Sequence, residues 1–435
     1  GLVAAAVAKA RLLEPLHKVS VPVNKTALVI GGGLSGMTAA LSLAEHGIGA
    51  HLVEKTKELG GNLRRVAHTL DGEDPQELLK GMIREVRDND SITLHMGTEV
   101  ESVDGFIGNF HTTLANGDEF DHGVVIVATG AVEYKPTEYL YGKSDRVMTQ
   151  LELEEKMSHK DFKPESMVMI QCVGSRDSEY QNCSRICCST SIKNALRVKE
   201  KHPDINVYVL YKDIRTYGFK EKYYREASRK GVVFIRYDDE NPPEVTKKKG
   251  KPRVVVKDAT LGEDVFLEPD YLVLSAGIRP NPDNENLSET LKVPLSGDGF
   301  FLEAHMKLRP LEFSTDGVYL CGFAHSAKPS EESIAQSRGV AAKVLGLFSK
   351  DRIEVEPLIA YVNESQCRWC GRCADVCVFG AIDIVESEGV KYAKINDVLC
   401  KGCGACVVAC PTGAMDVHGF TSGQLDKIIE CLEWE

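Results

Sequence analysis

Eight cysteines late in the chain stand in two identical frames, Cys367-x2-Cys370-x2-Cys373-x3-Cys377 and Cys400-x2-Cys403-x2-Cys406-x3-Cys410. Thiolates in this frame hold cubane iron–sulfur clusters, and in a pair of such runs the fourth cysteine of each ligates the other cluster. The spacing predicts one [4Fe-4S] site from Cys367, Cys370, Cys373 and Cys410, and a second from Cys400, Cys403, Cys406 and Cys377. Gly371, Gly402 and Gly404 suit the tight turns that aim thiolates and backbone amides at an inorganic core. Pro411 follows the second run where Val378 follows the first, a departure that leaves every ligand in place. Zinc also uses paired C-x2-C motifs, but rarely two consecutive four-cysteine runs.

A second set, Cys172, Cys183, Cys187 and Cys188, has the number of thiols that a third cubane needs. Its C-x10-C-x3-C-C spacing does not decide the matter. A catalytic dithiol of Cys183 and Cys187, a zinc site or plain buried thiols fit the same segment. Three clusters would use twelve of the fourteen cysteines and leave Cys321 for core packing and Cys431 near the end.

The other chemistry-bearing pattern is Gly31-x-Gly33-x-x-Gly36, with Ser35 inside it and Glu54 18 residues beyond Gly36, followed by Lys55. Glycines there let the backbone approach a pyrophosphate at a helix N-terminus, and the carboxylate accepts from ribose hydroxyls. FAD and NAD share this fingerprint. Gly60-Gly61 with Asn62, then Ala128-Thr129-Gly130, and finally Val318-Tyr319-Leu320-Cys321-Gly322 resemble the later FAD contacts of the two-dinucleotide-binding flavoproteins, which assigns FAD. That family places Asp after the last glycine, and Phe323 stands there instead. Its second glycine turn, which would hold NAD(P)H, falls near residue 173 and is replaced by Gly174-Ser175-Arg176-Asp177 and the cysteines. Direct hydride exchange with a nicotinamide is therefore not expected.

These residues need elements to position them. Thr26 to Ile30 reads as a strand, Met37 to His46 as a helix and Ala50 to Val53 as the next strand, a βαβ unit. Met167 to Val173 opens a second α/β unit, with a helix over Thr190 to Lys201 and strands at Ile205 to Tyr211 and Tyr271 to Ser275. A helix is expected over Glu331 to Phe348, and the cysteine-rich end begins beyond a boundary near 350–356. The expected division is 1–23 an N-terminal arm or linker, 24–148 and 280–350 the two parts of an FAD-binding domain, 149–279 a degenerate nucleotide-binding-like domain, 354–418 a two-cluster ferredoxin domain and 419–435 a tail.

At 435 residues the chain is long enough for two or three globular units. A net charge of −12 without a basic stripe argues against phosphate-backbone binding, so no nucleic-acid partner is expected. The run Lys247 to Lys251 reads as a solvated turn between strands. No apolar run reaches the ~18 residues of a membrane span, and no export signal is evident, so the reading is cytoplasmic.

Longer strings carry a family resemblance. Gln171-Cys172-Val173-Gly174-Ser175-Arg176-Asp177, Cys183-Ser184-Arg185-Ile186-Cys187-Cys188, Asp213-Ile214-Arg215-Thr216-Tyr217-Gly218, Tyr134 to Tyr139 and Thr149 to Glu152 resemble the A subunits of heterodisulfide reductases. The resemblance implies an α/β, thioredoxin-reductase-like core holding FAD, a third cluster on the four mid-chain cysteines, and a C-terminal α+β bacterial-type ferredoxin domain. It also implies an oxidoreductase that splits or joins electron pairs at its flavin, within a complex. Implied partners are cysteine-rich reductase subunits, a hydrogenase- or dehydrogenase-linked electron-delivery subunit, ferredoxin and a second copy of the chain. A cation near the flavin would tune such chemistry. Lys328, just ahead of the helix expected to point at the isoalloxazine, is the candidate, and Gln336 on that helix is a candidate for its pyrimidine end. A solvent-facing lysine and a packing glutamine are the plainer readings. Two rival functions are a non-catalytic relay or assembly module, and an NAD(P)H:acceptor oxidoreductase similar to glutamate synthase small subunits.

Overall fold

The structure, a computed structural model, describes residues 1–157, 159, 162–355, 357–387 and 389–432. The strand Thr26–Ile30 is the centre of a five-stranded parallel sheet ordered Val318–Leu320, Val124–Val127, Thr26–Ile30, Gly49–Glu54, Ile92–Met96. Ala27, Leu28 and Val29 are wholly buried, as a parallel strand covered on both faces requires. The helix Leu34–Ala44 covers one face beside the helix Ser330–Phe348, whose Val340, Ala341, Val344 and Phe348 enter the same core. Cys321 lies fully buried in that core. The helix Pro75–Asp88 joins them, started by Pro75 at its first position and by the Asp74 carboxylate accepting from the Gln76 N–H.

A second five-stranded parallel sheet runs Val147–Thr149, Tyr271–Ala276, Ser166–Val173, Asn206–Tyr211, Val232–Arg236. The antiparallel pair Ala131–Glu133 and Ile278–Pro280 ties the two sheets together. The basic run expected as a turn contributes its flanks to the strands Glu244–Lys248 and Lys251–Lys257, and only Lys249 and Gly250 turn. The helix Cys187–Lys201 begins three residues before the expected Thr190 and takes two cysteines into its first turn.

The cysteine-rich end folds as two antiparallel pairs, Ala360–Val362 with Met415–Val417 and Ile382–Ser387 with Val390–Ile395, plus two short helices, Arg372–Asp375 and Ala405–Ala409. The expected arm and tail are not loose. The helix Leu2–Ala10 packs on the helix Ser422–Leu432, Gln424 Nε2 donates to Leu12 O at 2.8 Å, and Lys9 Nζ stands 3.6 Å from the Phe420 ring. The strand Val19–Pro22 pairs antiparallel with Arg352–Val355 across the expected boundary. Residue 356 of that boundary and residues 433–435 of the tail lie outside the described residues. No described helix is long and apolar enough to cross a membrane.

Candidate functional site

The glycine turn closes on itself so tightly that side chains are excluded. A Cβ on Gly31, at φ +111°, would sit 2.4 Å from Ala128 O, and one on Gly36 would sit 1.8 Å from Gly31 O. Gly36 therefore lets the helix seat directly on the turn, while Gly33 faces Gly61. Glu54, at the end of its strand, is held by two backbone donors. Gly32 N–H reaches Oε2 and Thr56 N–H reaches Oε1, each at 2.8 Å. Each oxygen retains acceptor capacity for a ribose hydroxyl. Lys55 beside it pairs with Asp283, a hydrogen bond that raises the ammonium above its usual range.

A cavity of about 620 Å³ runs from this turn to the second sheet, within the range of cofactor sites. Gly31, Gly33, Ser35, Glu54, Lys55, Gly61, Asn62, Ala128, Thr129 and Gly130 line it, as does Lys328. Three expected contacts lie behind the wall. Gly36 is under the helix, and Gly322 packs on Ser35, with a Cβ position 2.1 Å from Ser35 Oγ. Gln336 is spent on bracing. Its Oε1 accepts from Gly322 N–H and from Lys328 Nζ, both at 2.9 Å, and its Nε2 is 2.9 Å from His325 Nδ1. The position of the missing acid, Phe323, lines the cavity. Four lining residues, Thr98, Thr129, His68 and Asn284, carry a buried polar atom with no protein hydrogen-bond partner. A dinucleotide rich in hydroxyls, phosphates and amide edges fits a wall with polar groups left to satisfy.

The end of the cavity nearest the second sheet holds two buried lysines. Lys328 is 5% exposed and donates to Gly322 O at 2.8 Å, so it is not the solvent-facing lysine of the plainer reading. Burial pushes its ammonium down to about 8. Lys193, 8% exposed, pairs with Glu154 at 2.7 Å and donates to His68 O at 2.9 Å. Burial lowers it too, against the opposing pull of Glu154. Burial likewise pushes His68 down to about 4, which keeps its ring neutral near pH 7. Lys193, Glu154 and His68 escaped the sequence reading. The available signal was the buried face Ile192, Ala195 and Leu196 of the cysteine helix, on whose edge a lysine ordinarily reads as solvent-facing.

The mid-chain cysteines lie near one another beside the cavity. Pairing of the strand Ser166–Val173 with Tyr271–Ala276 slips between Ile170 and Val173, a bulge that places Cys172 at φ +61°. Gly174 follows at φ +63°, where a Cβ would strike the Tyr134 ring at 2.3 Å. Cys187 opens directly onto the cavity. Cys188 Sγ lies 3.6 Å from Asp213 O, and Arg185 N–H donates to Cys183 Sγ at 3.3 Å. Burial raises Cys172, lifts Cys188 to about 11 and Cys187 well above the thiol range, and charge on neighbouring thiols adds to each shift. Three neighbouring thiols that resist ionisation, Cys172, Cys187 and Cys188, suit a cationic centre that neutralises them. Among the described residues no three His, Cys, Asp or Glu side chains converge on a point for one metal ion. A cubane asks for a wider set, because its four thiolates stand on four separate irons.

In the cysteine-rich end a small pocket is lined by Cys367, Cys370, Cys373 and Cys410 together, the first ligand set expected from cross-ligation. Trp369 and Ala393 N–H groups donate to Cys367 Sγ at 3.4 Å. For the second set, Ala360 N–H donates to Cys400 Sγ and Ala381 N–H to Cys377 Sγ, each at 3.3 Å. Cys403 is exposed and Cys406 buried in the short helix after Gly404, which turns at φ +79°. Amides aimed at sulfur are the donors a cluster ligand needs.

Comparison with known proteins adds the lineage. Residues 27–116 match the family model for FAD dependent oxidoreductases, and 366–414 the model for the 4Fe-4S dicluster domain. The A subunit of the H(2):CoB-CoM heterodisulfide,ferredoxin reductase of Methanothermobacter marburgensis is 35% identical, covering 88% of this chain and 73% of that protein. The iron-sulfur A subunit of the CoB--CoM heterodisulfide reductase of Methanocaldococcus jannaschii is 34% identical over 91% and 75%. In fold, the chain resembles thioredoxin reductases. That of T. acidophilum gives a TM-score of 0.53 at 18% identity, covering 75% of this chain and 100% of that one. That of Lactococcus lactis gives 0.53 at 17%, covering 75% and 99%.

Proposed function

The chain belongs to the family of heterodisulfide reductase A subunits, iron–sulfur flavoprotein oxidoreductases with FAD and 4Fe-4S centres, and from that premise we propose that it exchanges electron pairs at its flavin for single electrons on three clusters. When bound, FAD supplies two-electron chemistry and the clusters one-electron chemistry. Glu54 and the glycine turn would hold the adenosine and pyrophosphate, and the lysine-lined end the isoalloxazine. Cys172, Cys183, Cys187 and Cys188 would ligate the third cluster, beside the two of the ferredoxin domain.

The observation that carries this reading is the position of Cys187, which belongs both to the cavity wall and to the four-thiol set. A ligand shared by the two sites lets single electrons leave the flavin end without crossing further protein. Lys328 and Lys193 place two cations at that end, and such charge favours added electrons there. Tyr134 fills the space over Gly174 where a phosphate-cradling turn would lie, which supports an electron donor other than a nicotinamide. The donor is then a partner protein, and the flavin divides or joins electrons between ferredoxin and a disulfide acceptor, as in the reactions named for the relatives. The same relatives are named as subunits, which supports work inside a larger complex. The complex proposed is cytoplasmic, with cysteine-rich reductase and electron-delivery subunits and a second copy of the chain.

Anaerobic protein, assayed together for iron, sulfide, zinc and flavin, tests the reading. Three cubanes give about 12 iron per FAD. Cys187→Ser is expected to remove about four of them. About eight iron in the unaltered chain would return the mid-chain thiols to a dithiol or structural role. In a flavin titration, accumulation of a stable one-electron form would favour the relay reading over electron splitting. NADH alone should leave the flavin oxidised.

A further inference from the structure

Two side chains near Cys172 carry buried polar atoms with no hydrogen-bond partner. Gln171 is 1% exposed, and neither its amide nitrogen nor its amide oxygen has a hydrogen-bond partner. Arg176, at φ +58°, spends Nη2 on Asp213 Oδ2 at 2.8 Å, while its buried Nη1 has no partner. Such groups are rare in a folded interior and mark a place where something else is bound.

Their positions say what that is. Met169 Sδ accepts from Ser191 Oγ at 3.2 Å, so Met169 lies under the cysteine helix one turn past Cys187 and Cys188. Strand alternation carries Gln171 along the same face towards those two cysteines. Opposite the bulge on the adjoining strand, Ser275 lines the cavity and already accepts from Gln150 Nε2. Arg176 stands within electrostatic reach of the Cys172 sulfur. Asp213, which anchors Arg176, also places its carbonyl against Cys188. Lys212 Nζ holds the Arg176 carbonyl at 2.8 Å, which fixes the turn from which the guanidinium departs.

We propose that Gln171 and Arg176 are positioning residues of the mid-chain cluster, donating to its sulfur atoms and raising its reduction potential. This deepens the function proposed above and rests on its third cluster. One-electron reduction adds one negative charge to the cluster, so a carboxamide N–H and a guanidinium stabilise the reduced form more than the oxidised one. The cluster that shares Cys187 with the flavin cavity is thereby made a better one-electron acceptor.

The test uses anaerobic holoprotein carrying Gln171→Leu or Arg176→Leu, with Arg176→Lys as the charge-keeping control. Iron and flavin are counted, and midpoints are followed by electron paramagnetic resonance. The mid-chain signal is the one missing from Cys187→Ser. Each leucine variant should keep its full iron and shift that signal to lower potential, with the ferredoxin pair unmoved and Arg176→Lys recovering part of the shift. Full iron with an unmoved midpoint in both leucine variants overturns the proposal. If one variant loses the mid-chain iron the other decides, and loss in both overturns tuning in favour of a structural role. Iron for only two clusters in the unaltered chain would instead refute the third cluster itself.

Discussion

At the scale of single residues, the cavity is distinguished by charges kept out of water. Lys328 is held by Gly322 O and Gln336 Oε1, and burial brings its ammonium down to about 8. It is therefore mostly charged at pH 7 and loses its proton as pH rises through about 8. A cation at the wall favours electrons on whatever occupies the cavity, and that help disappears on the alkaline side. The flavin midpoint of the holoprotein should fall more steeply with pH around 8 than in Lys328→Met, which keeps the packing and lacks the charge. Parallel slopes in a spectroelectrochemical titration from pH 7 to 9 would remove Lys328 from the tuning role. Lys193 differs because Glu154 stands 2.7 Å away and opposes its loss of charge.

At the scale of elements, two close approaches decide whether the sites can form. The helix Leu34–Ala44 seats on the glycine turn only because Gly36 has no side chain, its Cβ position being 1.8 Å from Gly31 O. Backbone cannot retreat as a flexible side chain can, so Gly36→Ala should force the helix off the turn. We expect a chain that retains its iron, loses most of its FAD and unfolds with a stability loss of about 1–3 kcal/mol, as overpacked cores do. Flavin absorbance per iron, read beside thermal unfolding, checks this. The second approach is the bulge in Ser166–Val173, which turns Cys172 out of the strand's alternation and towards the helix bearing Cys187 and Cys188. No propensity in Met167 to Val173 marks that slip, because a bulge belongs to the pairing of two strands and not to either one.

At the scale of the whole molecule, the two ends of the chain meet. Ala5 is 3% exposed where the helix Leu2–Ala10 packs on Ser422–Leu432. A carboxylate there would lose its hydration without a partner, at a cost of several kcal/mol. Ala5→Glu should therefore part the helices and speed amide exchange across 2–10 and 422–432, with iron and flavin counts unchanged. Slow exchange in both segments would mean that other contacts hold them. The ferredoxin unit is also fastened to the flavin core through the Lys401–Asp316 ion pair and the shared packing of Val398, Val21 and Ile353.

Much of this was legible because iron–sulfur ligation and pyrophosphate binding need fixed residue types at short, fixed spacings. The two four-cysteine runs, Gly31-x-Gly33-x-x-Gly36 and Glu54 are local patterns, and local backbone geometry follows from them. Gln336 and Gly322 show where local reading fails, for both sit within two positions of cavity residues in sequence yet behind the wall in space. Lys193, Glu154 and His68 come from separate segments, and only packing of the second sheet against the first makes them one cluster. The same holds for residues 1–23, whose composition says nothing of a partner some 400 positions away. Sequence alone determined which cofactors the chain can carry, since ligand chemistry is set by residue type and spacing. Tertiary structure alone decided that Cys187 borders both the cavity and the thiol set, because distance across a fold is fixed by packing.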